Sequence, residues 1–185
     1  MMKTITAVLT TFLLISSVAA KGIDCGKLPV WSGSINGLVV NQHNIYCGEA
    51  KQDSLGGIGF HSMPNNFAPS TLTSVGAAFD ESEFGIYTLR TINLAIGGRT
   101  VVKAFSTMFP VSCSVSQINA SIVHARIANQ GGCESVPWAE CGLSAPEDNP
   151  SDQYCLGHNG QSFTIATATL PHEPNKISTG FPVNE

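Results

Sequence analysis

The chain has 185 residues, with Lys and Arg totalling 9 against 13 Asp and Glu, a formal charge of −4. That balance excludes broad electrostatic capture of long polyanions, although a compact phosphate site with local positive charge from Lys103, Arg99 or Arg90 stays compatible with it. The length fits one domain of ordinary size with a real core. Beyond the N-terminus nothing approaches the roughly 18 apolar residues of a membrane helix, so no membrane partner is expected.

Met1-Met2-Lys3, the apolar run Ala7 to Leu14 and the small residues Val18-Ala19-Ala20 read as a secretory signal over residues 1–20. Residues 21–185 then form a single domain delivered outside the cell or into the periplasm. Residues 22–35 are rich in Gly and Ser and read as irregular. A short helix is predicted from Leu38 to Tyr46, carrying His43. The three glycines of residues 48–58 indicate a loop, and Pro64 to Ser70 a turn.

Ile86 to Ile96 and Thr100 to Phe109 flank Gly97-Gly98 and predict a hairpin. The two-residue period places Lys103 mid-strand on the face of Val101, Phe105 and Thr107. Ser114-Val115-Ser116-Gln117 resembles a capping box, and Ile118, Ile122 and Ala125 continue a helical stripe to about Asn129. A cysteine-stapled loop is expected over roughly 130–160, and a last strand from Phe163 to Leu170, ended by Pro171. Such an order predicts an α+β fold, mainly antiparallel β-sheet with a few helices.

The cysteines Cys25, Cys47, Cys113, Cys133, Cys141 and Cys155 all follow the expected cleavage site. An even count in an exported chain reads as three disulfides of open pairing, with Cys133 and Cys141 able to staple the loop around Trp138. No Cys-x-x-Cys pair favours zinc. Asn119-Ala120-Ser121 is a glycan acceptor if the source is eukaryotic.

Chemistry gathers in two histidine motifs and a lysine: Gln42-His43-Asn44-Ile45-Tyr46-Cys47-Gly48-Glu49, then Gly59-Phe60-His61-Ser62, then Lys103. Two imidazoles and an ammonium suffice for metal-free RNA cleavage. One imidazole takes the 2′-OH proton, the other protonates the departing 5′-oxygen, and the ammonium stabilises the phosphorane. Lys103 sits between apolar neighbours and must either snorkel to water or meet an anion. Glu49 can orient an imidazole or cap a loop. His124, His158 and His172 read as ordinary surface or loop histidines.

The order of these motifs, with Lys103 ahead of Ser106-Thr107-Met108-Phe109-Pro110 and a late strand Ile165-Ala166-Thr167-Ala168-Thr169-Leu170-Pro171, resembles the EndoU family. These are the XendoU-like endoribonucleases, the bacterial branch above all, and the likeness runs from about Val40 to Pro171. It implies an EndoU-like, ribonuclease A-like catalytic fold, stapled here by disulfides. It further implies uridylate-preferring cleavage of single-stranded RNA to 2′,3′-cyclic phosphate and 5′-hydroxyl ends.

On that likeness His43, His61 and Lys103 are the expected catalytic residues. Thr167, Thr169, Glu49 and Ser106 are the expected substrate contacts. No cofactor or metal is required, although manganese stimulation is a family trait. A monomer is expected, and an inhibitor or immunity protein is an open partner.

Two departures matter. The family's first histidine stands four residues before the motif glycine, where this chain has Asn44, with His43 one residue earlier. Thr169 stands where the family has tyrosine, and Tyr46, Tyr87 or Phe105 are candidate replacements for the ring. The alternatives are a non-catalytic EndoU-like binding module, for RNA or protein, and a cysteine hydrolase built on Cys47 with His61, which requires a free thiol.

Overall fold

The computed structural model describes residues 22–52, 56–79 and 81–183. The expected signal segment 1–20 lies outside the described residues. After an irregular start come β1 (Val39–Val40), a π-helical turn (His43–Cys47), the short strands β2 (Glu49–Ala50) and β3 (Gly57–Ile58), and a 3-10 turn (Pro64–Asn66). Then follow β4 (Leu72–Phe79), β5 (Tyr87–Ile96), β6 (Arg99–Met108), α1 (Val115–Ile127), β7 (Gly131–Gly132), β8 (Glu140–Leu143), β9 (Thr164–Leu170) and β10 (Glu173–Pro182). The fold is α+β, and its strands pair antiparallel except where β1 runs parallel to β10; a single parallel bridge lies outside the strands.

β5 and β6 form the expected hairpin. Ile96 pairs with Arg99 across Gly97 and Gly98, whose φ of 59° and 75° match the mirror-image turn that suits the twist of two strands. β4 adds to β5 to complete a three-stranded sheet. Its core is Phe60, Met63, Leu89, Ile92, Leu94, Val101 and Met108. β2 and β3 pair as a small flap, and a parallel bridge from Gly56 to Val102 lays it against β6.

The second sheet has the order β1-β10-β9-β8-β7. α1 packs on it, with Ile118, Ile122, Val123 and Ala125 buried in one cluster with Val40, Ile165 and Ile177. Each such aliphatic side chain contributes about 1.5–3 kcal/mol on burial. The capping box forms as the spacing predicts. Ser114 Oγ accepts from Gln117 N at 3.3 Å, and Gln117 Oε1 accepts from Ser114 N at 2.8 Å.

All six cysteines pair, as Cys25–Cys47, Cys113–Cys155 and Cys133–Cys141. That leaves neither a thiolate for zinc nor a free Cys47 nucleophile, so the cysteine-hydrolase reading is overturned. Asn119 is no glycan acceptor in the folded chain. It is buried, taking Tyr46 Oη–H at 2.8 Å and donating to Gln42 Oε1 at 3.1 Å.

Other expectations change in the fold. The helix over Leu38 to Tyr46 is a two-residue strand and one π turn, because β-branched Val39 and Val40 pair with Lys176 and Ile177. The loop over 130–160 contains β7 and β8. Pro171 does not end the sheet. The chain turns at Pro171-His172 and returns as β10, the second strand from the edge, which the sequence pattern hides because Pro174 and Asn175 read as turn and two register shifts break the alternation.

Cys113 precedes α1 directly and its bridge to Cys155 closes a 42-residue separation. Replacing both with Ser should lower stability by about 2–5 kcal/mol, read as a fall in the urea midpoint with a steeper slope as the unlinked chain unfolds further. Alkylation of the native protein should label no thiol.

Candidate functional site

A cavity of about 760 Å³ opens where the two sheets meet. Its walls come from the π turn (Asn44), the flap (Lys51, Gly57, Ile58), the segment Gly59 to His61, β6 (Lys103 to Thr107), the Cys133–Cys141 loop (Ser135, Val136, Trp138) and the end of β10 (Thr179 to Val183). Two lysines and no carboxylate line it among the described residues. On an acidic chain that makes the cavity a local anion-attracting site.

The segment bearing His61 is held by backbone bonds on both sides. Phe60 N–H donates to Asn44 O and His61 N–H to Ile45 O, each at 2.6 Å, while His61 O accepts from Phe109 N at 2.8 Å. Gly59 has φ +70° and lies so close to the π turn that a Cβ would overlap the Asn44 carbonyl oxygen. Phe60 also has positive φ, 61°, a conformation that costs a non-glycine residue about 1–3 kcal/mol.

His61 is buried, with its ring stacked on Phe181 at a centroid distance of 4.9 Å. Its Nδ1 lies 3.0 Å from Thr107 O and 3.0 Å from Ser106 Oγ. A carbonyl only accepts, so Nδ1 carries the proton and Nε2 keeps the lone pair. Burial, then the Lys103 charge, hold the imidazole pKa well below its ordinary value, against the bond to Thr107.

Lys103 Nζ donates to Gly59 O and, at 2.9 Å, to Ser106 Oγ. Burial lowers its pKa from 10.5 to about 7. Ser106 Oγ also lies 2.6 Å from Phe60 O, to which it donates, so it joins lysine and histidine as an inward strut. The expected face partners of Lys103 are corrected: burial changes phase after it, so Ser106 and Met108 turn inward while Phe105 is 58% exposed.

The structure brings His61, Lys103 and Ser106 together and leaves His43 out. His43 Nε2 binds Leu28 O at 2.7 Å, and the ring does not line the cavity. The wide π turn presents Asn44 instead, one residue on. Glu49 fixes this amide, accepting from Asn44 Nδ2 at 2.8 Å and from Asn41 Nδ2 at 3.1 Å, while Asn44 Oδ1 has no partner. Glu49 is therefore a positioning group behind the wall.

Thr167 and Thr169 are not at the cavity either. Thr167 is fully buried, its hydroxyl on Glu140 O at 3.2 Å, and β9 is separated from the cleft by β10. Thr179 and Phe181 of β10 stand there instead. Arg90 lies over the Phe79 ring and Arg99 sits at the hairpin turn, so Lys51 supplies the second cation. Of the rings proposed to replace the missing tyrosine, Tyr46 is in the core, Tyr87 is off the cavity and Phe105 lines it. No family model, curated protein or solved structure matches the chain.

Between about pH 7 and 10.5 the unfolded chain keeps the Lys103 proton that the folded protein has lost, so this group makes stability rise with pH across that window. His61 acts with the same sign below its ordinary value of 6.5, where the unfolded imidazole protonates first. Thermal melts of wild type and Lys103→Met should therefore diverge with pH. The wild type should gain about 2–6 °C on the variant between pH 7 and 10.

Proposed function

We propose that this is a secreted EndoU-like protein that binds single-stranded RNA in the His61–Lys103 cleft and cleaves it slowly, at the rate one imidazole can sustain. The observation that carries the reading is the joining of an uncharged imidazole and a buried ammonium through Ser106 in a cavity lined, among the described residues, by no carboxylate. His61 Nε2 takes the 2′-OH proton, and Lys103 offsets the charge of the phosphorane as the oxygen attacks phosphorus. The products are a 2′,3′-cyclic phosphate and a 5′-hydroxyl. Three disulfides fit the oxidising compartment that export implies.

The likeness to the family extends to the strand at the cleft. Ile177-Ser178-Thr179-Gly180-Phe181-Pro182 at the cleft offers a threonine and, two residues on, an aromatic ring before a proline, with Phe181 in the place of the tyrosine that Thr169 does not supply. Thr179 and Phe181 thus replace Thr167 and Thr169 as the proposed uridylate contacts.

Asn44 specifically favours a second reading, an RNA-binding module without turnover. Its amide keeps the shape of the wall but yields no proton to the departing 5′-oxygen, which must then take one from water. A missing acid–base group costs about 10²–10⁴-fold in rate.

Incubation with a uridine-containing oligonucleotide should yield cyclic-phosphate ends, and Asn44→His should raise the rate toward that factor. Cleavage undiminished in His61→Ala would sink the assignment. Binding without cyclic ends would select the second reading. Phosphate entry should also raise both pKa values, so uridine 3′-monophosphate should bind more tightly at pH 6 than at pH 8, with proton uptake seen by calorimetry in buffers of different ionisation enthalpy.

A further inference from the structure

One side of the cleft is not used by the chemistry above. Trp138 lines the cavity yet is 65% exposed, the most exposed large hydrophobic side chain among the described residues. Its ring lies 5.9 Å from Phe181, tilted by 43°, and Phe181 stacks in turn on His61. Three rings thus run from the imidazole to solvent.

The loop that carries Trp138 is stiff. Cys133 and Cys141 close it, and Cys133 N–H to Ala139 O (3.2 Å), Val136 N–H to Cys133 O (3.3 Å) and Ala139 N–H to Val136 O (2.9 Å) tie it within. Its small residues Cys133 and Ala139 are buried while the large indole faces out. A tryptophan serving as core filler would show the reverse. A ring held outward on a stapled loop loses little conformational freedom when a flat partner settles on it.

We propose that Trp138 is the stacking platform of a second nucleobase subsite, for the base adjoining the nucleotide held at His61 and Lys103 on a single strand. This rests on the RNA-binding reading of the cleft and adds a contact to it. The exposed Phe105 ring and the Lys51 ammonium line the same cavity, and aromatic faces beside cations are what a nucleobase and its phosphate need. Stacking uses the π face that every base has, so this subsite tolerates sequence and sugar alike, while Thr179 and Phe181 keep the uridylate contact.

Binding of hexauridylate, hexathymidylate and uridine 3′-monophosphate to the mature protein separates the claims. Trp138→Ala should weaken both hexamers by about 5–150-fold and by the same factor, leaving uridine 3′-monophosphate within about twofold of wild type. Trp138→Phe should recover part of the loss. Lys103→Met should weaken all three ligands. Equal hexamer affinity in wild type and Trp138→Ala overturns the subsite and leaves the RNA reading standing. Equal loss of hexamer and monophosphate overturns it too, placing Trp138 in the first nucleotide's site. A wild type that binds none of the ligands overturns the RNA reading and the subsite together.

Discussion

The cleft depends on how the chain at Gly59, Phe60 and His61 is clamped. Two backbone N–H groups are spent on the π turn, and the Gly59 and Phe60 carbonyls are taken by the Lys103 ammonium and the Ser106 hydroxyl of β6. The left-handed conformation of two successive residues is unfavourable for Phe60, and these bonds, with the fully buried Phe60 ring, offset that cost. The same bonds settle where the imidazole stands. A site residue on an otherwise loop-like segment acquires the rigidity of the strands on either side.

That clamp places an ammonium where water reaches it poorly and where, among the described residues, no carboxylate pairs with it. In stability terms this is unfavourable, as the pKa pulled down to about 7 records. In binding terms it is useful. On the proposed reading, a buried cation beside a neutral imidazole would gain most from an anionic ligand, which would stabilise the folded chain by binding it. Among the described residues no carboxylate lines the cavity walls. Cys133–Cys141 closes a loop that borders the site and Cys25–Cys47 anchors the π turn, and the disulfides supply part of the stability that the buried charge removes.

One residue of register before Gly48 separates a two-imidazole centre from a one-imidazole centre. The π turn neither tightens nor swings to bring His43 round. It commits His43 to the Leu28 carbonyl and leaves Asn44 at the wall, braced by Glu49. An amide in that position preserves packing and hydrogen bonding and withholds proton transfer. On the proposed reading, binding and turnover would then depend on different residues, with Lys103, Thr179 and Phe181 on the other walls.

Local chemistry alone was enough for several features. The Gly97-Gly98 turn, the Ser114–Gln117 cap, the export-type cysteine count and the unease of Lys103 each follow from neighbours a few residues apart, because turn geometry, capping and burial pattern are local properties. Glu49, Ser106 and the cysteine pairing were visible as residues, though not in their roles. Tertiary structure decided the rest. Which histidine faces the cleft turns on a π bulge that no periodicity reports, and the strand at the site is β10 because a hairpin turn at Pro171-His172 carries the chain back with two register shifts. Phe181 stacks on His61 and Trp138 lies tilted against Phe181, each brought to one cavity from a distant part of the chain. Such convergence is set by sheet pairing and disulfide closure over long separations, and the amino-acid order around each residue holds no trace of it.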